Sequence, residues 1–461
     1  MVVVTAGTEQ INASNGELST TIGGQQIREL PLNGRNPLSL LSLAAGAGPT
    51  TSSIDGQRSS STTITRDGLN VQDNFIRTGA FVDDRPTVDD ISEFTLTTQN
   101  AGAEQGGGSS LVQLVTPRGG NKFHGNLFEF NRNSEFSAND FFNNATPDAQ
   151  GNAIPRPFLN RNQFGGTISG PSPFFNFGEG GPMFVKNKAF FFFNYEGLRL
   201  AQQVTASATT LLSPARNGDF SFVDTVTGQT RTINVLSGTG FASPLTAAQG
   251  GVLGVDPIIQ SRILNQLPTT ANGLTTGINL TQIVNFNRNS PSTRDQWILR
   301  YDVEPNDRNS FSIVYKKKDE TNSRSDIASG FAVTPFTNQV DPTDFLSASY
   351  RVVLGTNFSN EVRGGFQLTT PFFFGGHLPT DYFIGGVNSL ITTPEGGFTD
   401  QGRTTRYYNI QDNAVYSIGN HSLRFGGQVE FQKLSSLDEF GVLPTYNLST
   451  TGNPNTPGLT T

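Results

Sequence analysis

Between Trp297 and Phe431 the chain alternates apolar and polar side chains in short segments, and the connections between segments alternate as well, brief and then long. Period-2 alternation marks a strand whose two faces meet different surroundings. In residues 297–303 one face carries Trp297, Leu299, Tyr301 and Val303, and the other Ile298, Arg300 and Asp302. The sets Phe311/Ile313/Tyr315, Leu346/Ala348/Tyr350/Val352, Val362/Phe366 and Ile410/Ala414/Tyr416 repeat the pattern, as does the run from Leu423 to Phe431. These segments predict a continuous antiparallel meander.

Residues 304–309, 354–357 and 419–422 read as tight turns, because Pro presets φ and Asn, Asp and Gly tolerate left-handed backbone. Residues 316–344 and 372–406 read as long loops rich in Gly, Thr and Asn. All the tight turns then fall on one rim of the sheet and the long loops on the other, which is the arrangement of a bacterial outer-membrane barrel. Alternation alone leaves open which face is wet, since a soluble barrel buries its apolar face and a membrane barrel turns it to lipid. Arg300, Asp302, Arg424, Gln428 and Glu430 on the polar face suit a wide, wet lumen and favour the membrane arrangement.

Composition agrees with strands. Apolar residues make up 34% and charged residues 15%, with 51 Gly, which is poor material for a helical core. No apolar run approaches the roughly 18 residues of a spanning helix, so a membrane crossing would be made by strands. A length of 461 residues gives about three domains as a prior, and one very large sheet also fits. The absence of cysteine excludes disulfides and thiolate metal sites and leaves the redox compartment open. A net charge of −7 argues against a nucleic-acid binder. Lys316-Lys317-Lys318, the dense basic run, reads as the solvated base of a long loop, with contact to anionic lipid head groups as the alternative. The amino terminus lacks a signal-peptide pattern, so an exported chain is expected to follow a removed or omitted leader.

Ahead of the meander the pattern is mixed. Val2-Val3-Val4-Thr5-Ala6 is an extended β-branched run. Residues 25–30 and 37–45 predict short helices, and residues 59–67 and 93–98 predict strands, the first closed by Asp67-Gly68. Thr87 predicts a cap for a helical turn through Asp90. Gly106-Gly107-Gly108 leads into a strand over 109–116, and the break at 117–121 sets a domain boundary. Strands over 123–132, 163–170 and 189–196 precede the six from Trp297 onward, about nine in all. Within the long connection 197–295, residues 256–267 have helical spacing.

Several motifs follow one another along nearly the whole chain. They are Val2 to Ala6; Leu30-Pro31-Leu32-Asn33-Gly34-Arg35-Asn36; Asp67-Gly68-Leu69-Asn70; the stretch 106–121; Gly125-Asn126-Leu127-Phe128-Glu129-Phe130; Asn160-Arg161-Asn162-Gln163-Phe164-Gly165-Gly166; and 190–197 with Asn217-Gly218-Asp219-Phe220. Their order resembles the TonB-dependent outer-membrane receptors, and within them the Oar-like group. The resemblance implies an extended amino-terminal segment over 1–20 with a TonB-box-like strand, and a small α/β plug domain over 21–120. It implies an antiparallel transmembrane β-barrel over 121–461, with short periplasmic turns and long extracellular loops. Receptors of this kind have about 22 strands. About nine strands, an odd number, therefore predict an incomplete barrel, and the missing amino-terminal β-sandwich of Oar-like proteins predicts an absent upstream piece.

The function so implied is energy-coupled uptake of an unidentified ligand through a plugged, monomeric barrel in the cell outer membrane. Its partners would be a periplasmic TonB-type protein, outer-membrane lipid and the extracellular ligand. An adhesin or structural barrel without active transport is the alternative. With 37 Phe against one Trp and 9 Tyr, the aromatic bias suits lipid-facing bands rather than interfacial girdles. Phe191, Phe193 and Tyr195 share one strand face, and Phe190 and Phe192 the other, toward the plug or a loop.

Nothing in the sequence predicts catalysis, a cofactor or a metal. His124, His377 and His421 belong to no ligand motif, and there is no Gly-x-Ser-x-Gly elbow or phosphate loop. Gly106-Gly107-Gly108 reads as a bend between strands. Asp83-Asp84 and Asp89-Asp90 read as solvated acids, with Ca²⁺ as the weaker alternative because their spacing matches no EF-type loop. Val2, Val3, Val4, Thr5 and Ala6 form the one segment with a mechanism, addition of a strand to a partner's sheet edge. An ordinary first strand of the plug is the alternative.

Overall fold

The computed structural model describes residues 16–48, 54–73, 75–76, 84–102, 110–145, 155–173, 187–237, 254–273, 275–276, 280–327, 330–375, 381–385 and 391–447. Val2 to Ala6, Asp83 and Gly106 to Gly108 lie outside the described residues.

The amino-terminal part folds as a mixed sheet with short helices. Its strands are β1 (Leu18–Gly23), β2 (Thr62–Arg66), β3 (Leu69–Asn70), β4 (Glu93–Gln99) and β5 (Ser110–Val115), in the order β1-β4-β5-β2-β3 with β2 and β5 parallel. Helix α1 (Gly24–Glu29) and a 3-10 segment over Pro37–Leu43 cover it. Asn36 caps that segment through Leu38 N–H, and Pro37 occupies its first turn, where no amide donor is needed. Ile22, Ile27, Leu41, Ile64, Phe94, Leu96, Val112 and Leu114 form the core. Asp67 (φ 44°) and Gly68 (φ 81°) close the β2–β3 hairpin with left-handed backbone at both turn positions. The expected helical turn at Thr87 is instead a loop in which the Asp90 carboxylate accepts from Thr87 N–H, so the acid and not the threonine makes the cap.

The rest comprises one large sheet and, in the connections outside it, two separate two-stranded sheets. In chain order its strands are β6 (His124–Asn133), β7 (Leu159–Pro171), β8 (Ala189–Leu211), β9 (Asp219–Val223), β10 (Thr230–Asn234), β11 (Thr275–Thr276), β12 (Thr281–Asn289), β13 (Ser292–Asn306) and β14 (Asn309–Ser323). There follow β15 (Thr337–Val340), β16 (Thr343–Leu354), β17 (Phe358–Thr369), β18 (Phe372–Gly375), β19 (Phe383–Gly385), β20 (Gln401–Ile418), β21 (His421–Asp438) and β22 (Thr445–Asn447). The long strands form an antiparallel meander, β6-β7-β8-β13-β14-β16-β17-β20-β21, in which β6 and β21 are each paired on one side among the described residues. Short helices α2 (Phe141–Ala145), α3 (Ser213–Arg216) and α4 (Pro257–Arg262) lie in the long connections. The 256–267 segment is broken, since α4 ends at Arg262 with Ile263 as its cap and a 3-10 turn follows. Among the described residues no helix is long and apolar enough to cross a membrane.

The tight turns sit where their residues predict. Asn306 accepts from the amides of Arg308 and Asn309, and Gly355 (φ 65°) and Gly419 (φ 57°) supply left-handed backbone at the other two. The strands reach farther into the opposite rim than their alternation suggests. Lys316, Lys317 and Lys318 are not a loop base but part of β14, which runs on to Ser323. The apolar-polar alternation fades there because the inward face carries buried charge in place of apolar side chains, Lys316, Lys318 and Glu320, while the main-chain ladder and the alternation of burial continue.

Register settles the sidedness. One row crosses the sheet as Tyr301, Ile313, Ala348, Gly364, Ile410 and Val429, each the cross-strand partner of the next, and it faces outward. Ile410 and Val429 are 57% and 66% exposed. The adjacent row, Arg300, Val314, Ser347, Gly365, Asn409 and Glu430, faces the amino-terminal unit. An apolar outer band and a polar inner face filled by another domain is the layout of a plugged membrane barrel and the inverse of a soluble one.

Candidate functional site

The amino-terminal unit sits against the inner face of the sheet through buried charge. Arg66, at the end of β2, donates from Nε and Nη2 to Asp84 Oδ2 at 2.8 and 2.7 Å and from Nη1 to the Asp90 carbonyl at 2.9 Å. Lys316, pointing inward from β14, reaches Asp90 Oδ2 at 2.7 Å and Asp84 Oδ1 at 3.2 Å. All four side chains are at most 3% exposed. Two cations and two carboxylates balance, as buried charge requires. Burial opposes the charge on Arg66, but the two carboxylates outweigh it and raise its pKa above the ordinary guanidinium value. Burial likewise opposes ionisation of Asp84, and Arg66 and Lys316 outweigh it, holding the carboxyl below its usual range.

Two sequence expectations are corrected here. The aspartates are not solvated acids, since Asp84 and Asp90 are buried in this cluster and Asp89 pairs with Arg35. Lys316 and Lys318 are not solvated either: Lys318 is 1% exposed and binds Asp341 at 2.7 Å. Period-2 placement of Lys316, Lys318 and Glu320 on one strand face is the sequence signal that would have found them. Among the described residues no group of His, Asp or Glu is arranged to hold a metal.

A second contact is made by the Asp67-Gly68 turn. Arg363 Nη1 and Ser347 Oγ donate to the Asp67 carbonyl at 2.8 and 3.2 Å, and Arg300 Nη1 lies 3.9 Å from its carboxylate. Gly365 faces this turn, where a Cβ would collide with the Leu346 carbonyl and the Leu69 side chain. Arg403 pairs with Asp73. Phe192, Ile298, Val314 and Phe345 add an apolar patch from the wall to the plug core, while Phe190 lies under Arg118 at 4.8 Å.

Two cavities flank these contacts. On the short-turn side, about 490 Å³ lies between the plug sheet and strands β13 to β17, lined by Glu93, Arg118, Asp302, Ser312, Ser349 and Arg351 among others. On the long-loop side, about 360 Å³ lies between the Leu30–Arg35 turn and strands β6 and β7. Arg35 anchors that turn, paired to Asp89 and to Glu196 at 3.4 Å and lying 4.0 Å over the Phe128 ring. Above them the outer loops pack around Ile263, Leu267, Ile384 and Ile391.

A stopper held inside an inverted strand wall defines the class: a plugged outer-membrane β-barrel. The chain belongs to the family described as outer membrane beta barrel domain, whose model matches residues 115–460, and it resides in the outer membrane. Among solved structures it is similar to the outer membrane transporter YddB of Escherichia coli, at 12% identity and a TM-score of 0.52, covering 91% of this chain and 48% of that one. It is also similar to a variant of the ferric enterobactin receptor PfeA of Pseudomonas aeruginosa in complex with enterobactin, at 12% identity and a TM-score of 0.47, covering 90% and 49%. The ferric-catecholate import receptor Fiu of E. coli K12 gives 11% identity and a TM-score of 0.42, covering 91% and 60%. The chain thus spans about half the length of the first two structures, and the shared feature is the fold. No curated protein sequence matches it.

Proposed function

We propose that this protein is a receptor that takes up an extracellular ligand through its plugged lumen, driven by a TonB-type periplasmic protein. The observation that carries the reading is how the plug is held. Its contacts with the wall are chiefly ion pairs and hydrogen bonds, at Asp84 and Asp90 with Lys316, at Asp67 with Arg300, Arg363 and Ser347, and at Asp73 with Arg403. Water can replace each partner as the plug shifts, whereas a wholly apolar seam would hold it in place. The short-turn cavity offers a wet exit beside the plug sheet.

In this reading residues 1–20 are an extended coupling segment whose last residues, from Leu18, already enter the plug sheet as β1, 21–120 are the plug and 121–461 the barrel part. Val2, Val3, Val4, Thr5 and Ala6 pair edge-on with the partner, which supplies the force. The order of the motifs supports assigning the receptor to the Oar-like group. The test is binding of an isolated TonB carboxy-terminal domain to the full-length protein by calorimetry. Deleting residues 1–6, or the substitution Val3→Pro, which removes a ladder N–H, is expected to abolish binding. Unchanged binding would remove the coupling reading and leave the outer-loop assembly, as in an adhesin, to carry the function.

A further inference from the structure

The long-loop cavity is unusually cationic. Arg132 on β6 and Arg161 on β7 are direct cross-strand partners on the lumen face, a juxtaposition of like charges that is unfavourable by itself. Arg28, in the last turn of α1, lines the same cavity. Among the described residues none of the three has a carboxylate within ion-pair distance, in contrast to Arg35, which Asp89 and Glu196 neutralise. Arg161 is oriented by neutral acceptors, Gln163 Oε1 at 2.8 Å and Asn33 Oδ1 at 3.2 Å, so its position is held without a direct carboxylate partner, and Glu196, whose field reaches it, is itself engaged by Gln163 and Arg35. Leu30, Leu32 and Phe130 give the cavity an apolar side. At the same height Asn131, which also borders the cavity, donates to Asn160 and Asn162, a polar patch that marks the aqueous, long-loop rim.

We propose that Arg28, Arg132 and Arg161 bind the anionic end of a ligand that carries phosphate or carboxylate groups on a partly apolar body. A planar guanidinium matches either group with two parallel hydrogen bonds, and the anion relieves the Arg132–Arg161 repulsion. The inference rests on the receptor reading for its role in uptake, but the binding itself does not need transport.

Equilibrium dialysis of the purified full-length protein against radiolabelled pyrophosphate and citrate, with glucose as the neutral control, tests it. Saturable, salt-sensitive binding of the two anions and not of glucose is expected, weakened about tenfold or more by R132Q or R161Q, since each removes a charge-assisted hydrogen bond. Arg156→Gln, outside the cavity, should leave it unchanged. Pyrophosphate should also raise the melting temperature of the unmodified protein and not of R132Q/R161Q, which controls for misfolding. Anion chemistry supplied by lipid rather than by a free ligand would appear as arginine-dependent retention of lipopolysaccharide phosphate with no soluble-anion binding. Absence of both, or binding indifferent to the arginines, overturns the proposal. Loss of anion binding with TonB-domain binding intact leaves the receptor reading standing, and the converse result removes that reading alone.

Discussion

Replacing Lys316 with methionine keeps most of its length and removes its charge. Lys316 is the barrel's contribution to the buried cluster, so the variant leaves Asp84 and Asp90 facing Arg66 alone, with one uncompensated negative charge at a site at most 3% exposed. Removing one member of a buried ion pair costs about 3–5 kcal/mol. At about 1.4 kcal/mol per decade this favours the undocked plug by roughly two to three and a half orders of magnitude. The plug keeps its own Arg66–Asp84 bonds and its apolar core, so it is expected to loosen from the wall without unfolding. The chain contains no cysteine, and Ser347, 4% exposed beneath the Asp67 carbonyl, becomes a clean reporter as Ser347→Cys. Its labelling by a water-soluble maleimide should accelerate strongly in K316M, and Asp90→Asn in the same chain, which restores neutrality, should slow it again. Equal labelling of K316M and its parent, or strictly additive effects of K316M and D90N, would refute the claim that charge balance docks the plug.

Other outcomes follow from the same geometry. Because the folded pKa of Asp84 lies below its unfolded value, its stabilisation is complete above about pH 4 and is lost as pH falls through the folded value. Hydrogen exchange at β4 and β5 should therefore be flat down to that range and rise only below it. Neighbouring residues of β14 should behave oppositely: Ile313→Arg, on the outward row, should cost about 2–4 kcal/mol of folding into vesicles. Ser312→Arg, lining the short-turn cavity, should cost less than about 1 kcal/mol, measured by urea titration. Arg262 pairs with Glu395 and Asp381 and lies 4.8 Å over Tyr382. Arg262→Ala should speed proteolysis of the outer loops while leaving the barrel's melting temperature unchanged.

The alternation from Trp297 to Phe431 was legible because a strand crossing lipid must place one side-chain type every second residue. That requirement is local, and it revealed the strands, their parity and the tight turns at Asn306, Gly355 and Gly419 before any coordinates. The β2–β3 turn at Asp67-Gly68 was legible for the same reason, as a backbone demand written into two residues.

The plug's grip on the wall was not legible. Lys316 and Asp90 are 226 residues apart, and each alone looks like a solvated surface charge. Only the tertiary structure brings them together, because their pairing depends on the stagger of β14 and on where a separate domain comes to rest inside the sheet. The same holds for Arg132 and Arg161, whose adjacency is set by the β6–β7 register. Sequence determined the wall, since each strand carries its own pattern. Assembly decided the charges, since a buried ion is tolerated only where a distant partner arrives to balance it.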